Sequence, residues 1–349
     1  MTFTVSAPGR ICLFGEHQDY LGLPVIAAAI SKRFYFKGEP NSDRKLRIKL
    51  LDLNETVEFS LDDLNYTKPR DYFKSAIRVL MQNGYTVKNG VNAEAWSEIP
   101  QRAGVSSSSA MTNAWISCVL TANGYEIPDL KILGRMSFTA EVIEFNEPGG
   151  MMDQYSTAIG GTIYLESQPQ LLIQSLSTIP GTFILVDSNQ PKDTIGILQF
   201  ARNKRLDIAL EIQSQNPDFN WQLAEKNTPD YLVREARDLY SGTIRNRDIL
   251  LEAIQLLRSG DFDAVNFGKL LTEHHGILSQ TLRVSTLLID TMLEKCLEAG
   301  ALGGKIVGSG GGGCFIVYAP DNPEEIIELM AANGLKSWKV AVDQGARVE

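Results

Sequence analysis

The first segment whose residues could do chemistry is 8–20, which reads Pro-Gly-Arg-Ile-Cys-Leu-Phe-Gly-Glu-His-Gln-Asp-Tyr. An apolar run ends there at a glycine, and Glu16, His17 and Asp19 follow within four residues. Two carboxylates and an imidazole on one loop suit hydrogen bonding to several hydroxyls of a polyol. Arg10, at the start of the apolar run, could reach an anion. A solvated polar loop is the alternative, and this segment alone does not decide between the two.

A second segment is a loop rich in small residues, 100–110, which reads Pro-Gln-Arg-Ala-Gly-Val-Ser-Ser-Ser-Ser-Ala and leads into an amphipathic helix. Free N–H groups at a helix start form an anion site. Small residues let a triphosphate approach the backbone, and a serine hydroxyl can bind Mg²⁺. A serine-capped helix after a turn is the alternative. No GxxxxGK[ST] motif occurs in the chain, which argues against a P-loop NTPase.

The most glycine-dense segment is 308–314, Gly-Ser-Gly-Gly-Gly-Gly-Cys, which we predict to lie between a helix and a strand. So many glycines cost backbone entropy on folding, and a turn needs only one or two of them. Close approach to a ligand explains this density better, and a flexible hairpin connection is the alternative.

Asp153 lies in a fourth segment, 149–154, Gly-Gly-Met-Met-Asp-Gln. An aspartate at the start of a helix and flanked by methionines is partly shielded from water. Shielding raises the pKa of a carboxyl group and nearby cations lower it, so a catalytic base is one interpretation. A helix cap is the other.

The elements that must position these segments follow from hydrophobic periodicity and from Gly and Pro boundaries. We predict strands at 2–6, 10–14, 91–96, 182–187 and 314–318, a pair of strands at 33–38 and 45–51, and a strand or helix at 25–30. We predict helices at 69–83, from the serine loop to 122, and at 131–145, 151–159, 194–213, 230–237, 246–257, 262–279 and 286–299. This mixture favours an α+β fold over a regular βαβ alternation.

Length and composition limit the function classes. A chain of 349 residues predicts two domains, and residues 168–181 are the best boundary, which gives domains 1–178 and 179–349. The net charge of -9 argues against nucleic-acid binding. Four scattered cysteines and three histidines without metal-ligand spacing predict reduced thiols and no zinc site. Without a signal peptide or a long apolar run, we expect a cytoplasmic protein with no membrane partner.

Taken together, the four segments resemble the GHMP kinase superfamily, which includes galactokinase, homoserine kinase, mevalonate kinase and phosphomevalonate kinase. The motifs have the family's order and similar distances, from Pro8 to Cys314. Residues 15–20, Gly-Glu-His-Gln-Asp-Tyr, are similar to the galactokinase signature GEHTDY, with Gln18 in place of Thr. Residues 150–154 are similar to its GIMDQ, and 305–314 to its glycine motif. The resemblance implies a two-domain fold with the active site in the cleft between the domains.

The resemblance also implies roles for individual residues. Asp153 matches the catalytic aspartate and Arg10 the arginine that supports it. The matches to the sugar site are Glu16, His17, Asp19 and Gly150. Ser108 and Glu141 match the Mg²⁺ ligands. The matches to the ATP site are Arg102, Ala103, Gly104, Val105, Ser106, Ser107, Ser108, Ser109, Gly310 and Gly312. Arg102 stands where the family usually has glycine, and 187–194 fits the substrate-side pattern only loosely.

The implied activity is transfer of the γ-phosphate of ATP, with Mg²⁺, to a hydroxyl of a monosaccharide, with galactose to galactose 1-phosphate as the first expectation. Other acceptors stay open: a uronic acid, arabinose, N-acetylgalactosamine or mevalonate. A non-catalytic sugar-sensing protein is a further alternative, but Asp153, Arg10 and Ser108 are all present, which argues against it. We expect the partners to be the sugar and ATP, a monomer or weak homodimer, and a structural role for His274 and His275.

Overall fold

The computed structural model describes residues 1–100, 104–147, 149–191 and 199–349. Twelve strands in this part of the chain form two sheets. In chain order they are β1 Phe3–Phe14, β2 Val25–Asn41, β3 Lys45–Leu50, β4 Glu55–Ser60, β5 Gly90–Ser97, β6 Thr162–Glu166, β7 Leu172–Leu176, β8 Phe183–Asp187, β9 Gly303–Ile306, β10 Cys314–Tyr318, β11 Lys336–Val340 and β12 Arg347–Val348.

Nine α-helices accompany these strands in the described ranges. They are α1 Tyr72–Gln82, α2 Ser107–Ala122, α3 Leu130–Phe138, α4 Met152–Ile159, α5 Lys204–Gln213, α6 Arg234–Arg258, α7 Ala264–Gly276, α8 Leu287–Glu298 and α9 Pro323–Ala332. Short π-helical turns extend α3 (Thr139–Ile143), precede α5 (Gln199–Asn203) and extend α7 (Ile277–Thr281).

The larger sheet has eight strands, in the order β12-β1-β2-β5-β3-β4, and β6 joins it beside the first half of β2 and carries β7. The long strand β2 is the centre of this sheet because β1 lies along one edge, whereas β6 and β5 share the other. Helix α2 packs against β1 and β2 with Ala110, Ala114 and Trp115 fully buried. The segment that leads into α2 lies beside the second half of β1, where the Arg10 backbone N–H donates to the Val105 carbonyl oxygen.

The smaller sheet has four antiparallel strands, in the order β11-β8-β10-β9. Helix α7 packs against β9 so closely that a Cβ on Gly303 would lie 2.0 Å from the carbonyl oxygen of Gly268. The strand β12 at the C-terminal end returns to the larger sheet and pairs with β1. Both sheets thus depend on the second half of the chain, and the division into 1–178 and 179–349 stays a prediction.

Most predicted elements are present, with some corrections. The strands predicted at 33–38 and 45–51 do not pair, because β5 lies between them and pairs with both. The helices predicted at 230–237 and 246–257 are one 25-residue helix, α6. The glycine-dense loop connects two strands, β9 and β10, rather than a helix and a strand. The first part of the helix predicted at 194–213 lies outside the described residues.

Strands β4, β6, β7, β9, β11 and β12 and helix α9 were not predicted. They are short or lie next to longer elements, so their periodicity is weak. Of the described helices, none is long and apolar enough to cross a membrane.

Candidate active site

Arg10 and Asp153 form an ion pair at the centre of the candidate site. Arg10 projects from β1 and is buried, and Asp153 lies in the first turn of α4. The Nε and Nη2 atoms of Arg10 donate to Oδ1 of Asp153 at 2.9 and 2.7 Å. Within the described chain, Oδ2 of Asp153 accepts no hydrogen bond, so this oxygen is available to a ligand.

The serine-rich loop is attached to the same arginine. Arg10 Nη1 donates to the carbonyl oxygen of Gly104 at 2.5 Å, and the Arg10 backbone N–H donates to that of Val105 at 3.1 Å. Gly9 permits this approach, since a Cβ there would lie 2.9 Å from the Val105 carbonyl oxygen. The loop and the Asp153 carboxylate therefore share one rigid support. The predicted residues Arg102 and Ala103 lie outside the described residues.

The start of α2 has the features of a phosphate site. Ser106 is its N-cap residue with φ of 58°, and no side chain caps the helix. The buried Oγ of Ser106 has no partner among the described residues. Ser107 and Ser108 follow on the first turn, Ser108 exposed. Uncapped N–H groups and an unpartnered hydroxyl at a helix start fit the oxygens of a nucleotide phosphate.

Glu141 lies beside this helix start, on the π-helical turn after α3. Its Oε2 accepts from Ser109 Oγ and Gln154 Nε2, both at 2.7 Å. Burial raises the pKa of the Glu141 carboxyl group, and the nearby Ser108, Ser109 and Gln154 side chains oppose that rise. The described chain contains no group of three or more His, Cys, Asp and Glu that could hold a metal by itself. Mg²⁺ usually takes one or two carboxylates plus substrate phosphates, so Glu141 with Ser108 fits that ion.

Residues 15–20, which we call the acceptor loop after their predicted role, carry the three predicted sugar contacts. His17 is buried, has φ of 62°, and its Nδ1 lies 3.3 Å from the Tyr20 hydroxyl. Burial, and then the charge of Arg205, lower the pKa of His17 to about 3, so the ring is neutral at physiological pH. A neutral imidazole can exchange hydrogen bonds with a hydroxyl without an added charge.

Asp19 lies close to the Arg10–Asp153 pair. Burial and the negative charge of Asp153 raise the pKa of Asp19 to about 6. Its Oδ1 accepts from the Tyr20 backbone N–H at 3.0 Å, and its Oδ2 lies 1.7 Å from where a Cβ on Gly150 would stand. Gly150 is therefore required to make room for the Asp19 carboxylate.

Glu16 and the glycine-dense loop are bonded to each other. The Glu16 carboxylate is buried and accepts from Lys305 Nζ and from the Gly308 backbone N–H. Gly310 and Gly312 both have positive φ. A Cβ on Gly310 would lie 2.3 Å from the Val284 carbonyl oxygen, and one on Gly312 would lie 2.7 Å from that of Gln190. The protein's own backbone thus accounts for these two glycines, and their contact with ATP stays a prediction.

Sequence reasoning missed Lys305, Arg205 and Gln154 as parts of the site. A lysine inside the apolar strand β9 was a usable signal, because a buried ammonium needs a partner. Arg205 is fully buried on α5 and donates to the His17 carbonyl oxygen and, at 2.5 Å, to the Tyr20 hydroxyl. Nothing in its charged sequence surroundings distinguished it from a solvated residue.

His274 and His275 lie in the last turn of α7. His274 Nδ1 is 3.3 Å from the Leu13 carbonyl oxygen, and His275 lies between Asp290, at 3.1 Å, and the Ile306 backbone N–H, at 3.3 Å. These contacts join α7 to the ends of β1 and β9 and agree with the structural role that we expected.

Comparison with known proteins identifies the family. The model for the GHMP kinases N terminal domain matches residues 71–161, that for the GHMP kinases C terminal matches 250–336, and the galactokinase galactose-binding signature matches 1–40. A mevalonate kinase of Thermococcus sibiricus is 30% identical, covering 100% of this chain and 99% of that protein. A galactokinase of Enterococcus faecalis is 26% identical, covering 98% of this chain and 94% of that protein. The crystal structure of Lactococcus lactis galactokinase complexed with galactose has a TM-score of 0.84 at 21% identity. The match covers 99% of this chain and 95% of that one.

The family models and the curated relatives identify an ATP-dependent small-molecule kinase, with an N-terminal and a C-terminal domain. The chain belongs to the GHMP kinase family, close to galactokinase, as the sequence motifs predicted. The α+β fold of this family and its use of ATP with Mg²⁺ are likewise confirmed.

Proposed function

We propose that this kinase phosphorylates a hydroxyl of a monosaccharide, with galactose to galactose 1-phosphate as the first candidate reaction. The observation that carries this proposal is that Arg10 binds Asp153 and the serine-rich loop at once. In this arrangement an aspartate oxygen that has no partner among the described residues lies near the helix start that fits phosphate. Phosphoryl transfer depends mainly on such positioning and on charge neutralisation.

The proposed mechanism assigns each residue one task. The backbone of 104–109 and the start of α2 bind the nucleotide phosphates, and Ser108 with Glu141 hold the Mg²⁺ that neutralises their charge. Asp19 and His17 orient the acceptor. Asp153 Oδ2 takes up or orients the proton of the attacking hydroxyl, while Arg10 holds the Asp153 carboxylate in place.

Galactose comes first because the acceptor loop keeps the polar set of the galactokinase signature, which matches residues 1–40. Asp19 and neutral His17 offer hydrogen-bond partners suited to a polyhydroxylated acceptor. Mevalonate is the second candidate, because a mevalonate kinase is 30% identical to the chain over its whole length. A uronic acid, arabinose and N-acetylgalactosamine complete the candidates.

A non-catalytic sugar-sensing role is the least favoured alternative, because the Arg10–Asp153 pair is intact. For the assembly and compartment, we propose a monomer or weak homodimer in the cytoplasm, with ATP and a sugar as its ligands and with no nucleic-acid or membrane partner. The buried thiols of Cys12, Cys118 and Cys296 suit a reducing compartment.

The test is ADP release from Mg-ATP with a panel of acceptors: galactose, N-acetylgalactosamine, arabinose, glucuronate, galacturonate and mevalonate. Turnover with galactose above all other acceptors supports the proposal. Turnover only with mevalonate would make mevalonate the acceptor and leave the proposed mechanism unchanged. No turnover with any of the six, while ATP still binds, contradicts the catalytic proposal and favours the sensing role.

A further inference from the structure

Lys305 is a fully buried lysine that uses all three of its donors inside the protein. It lies in β9, and its Nζ donates to the carbonyl oxygens of Cys12, at 2.9 Å, and Ile306, at 2.7 Å, and to the Glu16 carboxylate. An ammonium group has three N–H donors, so none is left for a ligand. A direct contact of Lys305 with a phosphate would therefore require one of these bonds to break.

Glu16 is equally committed to protein partners. One carboxylate oxygen accepts from Lys305 and the other from the backbone N–H of Gly308. The Glu16 backbone carbonyl accepts from Asn246 Nδ2 of α6 at 3.2 Å. The sequence motif predicted a sugar contact for Glu16, whereas the structure directs its carboxylate toward β9 and the glycine-dense loop.

These bonds join parts of the chain that belong to different sheets. Cys12 and Glu16 lie at the end of β1 in the larger sheet, whereas Lys305 and Gly308 belong to the smaller sheet and its β9–β10 loop. The next residue, His17, has φ of 62°, a conformation that is costly for a residue with a side chain, and its ring lies beside the backbone of Gly308 and Ser309. Contacts with other parts of the chain must hold His17 in this conformation. The hydrogen bonds of the preceding residue, Glu16, to Lys305 and Gly308 are in position to do so.

We infer that Lys305 is a positioning residue that, through Glu16 and Gly308, holds the acceptor loop in its binding conformation. We call this set of three residues the Lys305 clasp. Through these bonds Glu16 acts on the acceptor by fixing the shape of the loop that carries His17 and Asp19. The kinetic part of this inference rests on the proposed kinase reaction, but the structural part does not.

Hydrogen–deuterium exchange tests the clasp without any assumption about the acceptor. The variants are Lys305→Met and Lys305→Arg, with Glu16→Gln as a change at the other end of the same bond. Arg33→Lys is the matched control, because Arg33 is also a buried cation in an ion pair, 2.7 Å from Asp343, but contacts neither loop. We expect faster exchange in both 15–20 and 308–313 in each clasp variant, and wild-type exchange there in the control. Wild-type exchange of 15–20 in Lys305→Arg and Glu16→Gln would overturn the inference, even if Lys305→Met fails to fold.

Steady-state kinetics with galactose and Mg-ATP test the functional consequence. We expect Lys305→Arg to raise the KM for galactose roughly tenfold or more and the KM for ATP by much less, because the clasp holds the acceptor loop and not the serine-rich loop. We expect Glu16→Gln combined with Lys305→Arg to be no worse than the more affected single variant, since both break one unit. Equal changes in the two KM values, or fully additive effects, would contradict the inference. If wild type does not turn over galactose, the acceptor proposal fails, and the exchange result still decides the clasp.

Discussion

At the scale of single residues, Asp153 owes its position to Arg10. The two N–H groups of one guanidinium reach the same carboxylate oxygen, and the third nitrogen of that guanidinium holds the Gly104 carbonyl. A lysine could supply the charge but not three donors in a fixed plane. The planar fork, and not only its charge, is therefore what places the aspartate and the serine-rich loop relative to each other.

This reasoning gives a prediction for Arg10→Lys. We expect kcat to fall by roughly 10²-fold or more, about 3 kcal/mol of transition-state stabilisation, because the misplaced Asp153 loses alignment with the acceptor hydroxyl. Steady-state kinetics with Mg-ATP measure this loss. Arg347→Lys is the control and should keep wild-type kcat, because Arg347 is a half-buried arginine that pairs with Glu349 and Asp343. A wild-type kcat in Arg10→Lys would show that charge alone suffices.

Asp19 gives a second prediction at this scale, on stability and pH. Its pKa of about 6 is above the usual value near 3.9, so ionisation of Asp19 costs folding free energy as the pH rises through about 6. The stability that the protonated carboxyl contributes is thus present at low pH and lost above pH 6. We expect Asp19→Asn to be about 1–3 kcal/mol more stable than wild type at pH 8, and this gain to vanish near pH 4.

Thermal unfolding of wild type and Asp19→Asn between pH 4 and pH 8 measures that difference. The same variant should bind the acceptor more weakly, because an amide replaces a carboxylate that can accept hydrogen bonds from the acceptor's hydroxyl groups. A stability difference that does not change with pH would contradict the assigned pKa. Unchanged acceptor KM would remove Asp19 from the acceptor site.

At the scale of elements, the site is built where three element ends converge: the end of β1, the start of α2 and the start of α4. Gly150, just before α4, lets that helix approach the acceptor loop, because a Cβ there would collide with the Asp19 carboxylate. For Gly149, its neighbour, the one described residue near the Cβ position is Val142, whose side chain lies 3.8 Å away. The two adjacent glycines therefore differ in what they contribute.

This difference predicts that Gly150→Ala raises the acceptor KM strongly while Gly149→Ala leaves it near wild type. The added methyl group on residue 150 must displace Asp19 or the start of α4, whereas the one on residue 149 enters ordinary van der Waals contact. Kinetics over a range of acceptor concentrations compare the two. If both variants behave alike, the approach of α4 to the acceptor loop does not depend on the missing Cβ.

The meeting of these three element ends could be predicted from the sequence, whereas the strand order of the surrounding sheet could not. The segments 8–20, 104–110 and 149–154 combine glycines with polar residues at element ends, which is a local signal, and they do meet in space. The insertion of β5 between the strands at 33–38 and 45–51 has no local signal, because strand order depends on contacts between distant residues. The partners of Arg205 and Lys305, which are His17 and Glu16, likewise lie far away in the chain, so local sequence could flag Lys305 as a buried cation but could not name its partner.

At the scale of the whole molecule, residues 343–349 bind to the first two strands through strand pairing and hydrogen bonds. Strand β12 pairs with β1, and Arg33 of β2 binds Asp343 at 2.7 Å and the carbonyl oxygens of Gln344 and Gly345 at 2.9 and 2.7 Å. Glu349 accepts from Ser6 at 2.5 Å. The C-terminal segment thus closes the edge of the larger sheet next to the strand that carries Arg10.

We predict that removal of residues 347–349 destabilises the protein by about 1–3 kcal/mol, because β1 loses its edge partner and Arg33 loses the nearby Glu349 carboxylate. Thermal or urea unfolding measures the loss. The KM values for ATP and acceptor should stay near wild type, because none of these three residues contacts the candidate site. A large change in either KM would mean that the end of the chain takes part in binding.

The central claim is that the Arg10–Asp153 pair performs phosphoryl transfer from ATP to a small acceptor, and one comparison tests it directly. ADP release from Mg-ATP is measured with the best acceptor of the panel for wild type and Asp153→Asn, together with ATP affinity by calorimetry. The account predicts that the variant loses roughly 10²- to 10⁴-fold in kcat and binds ATP as wild type does. Near-normal turnover by Asp153→Asn would contradict the account.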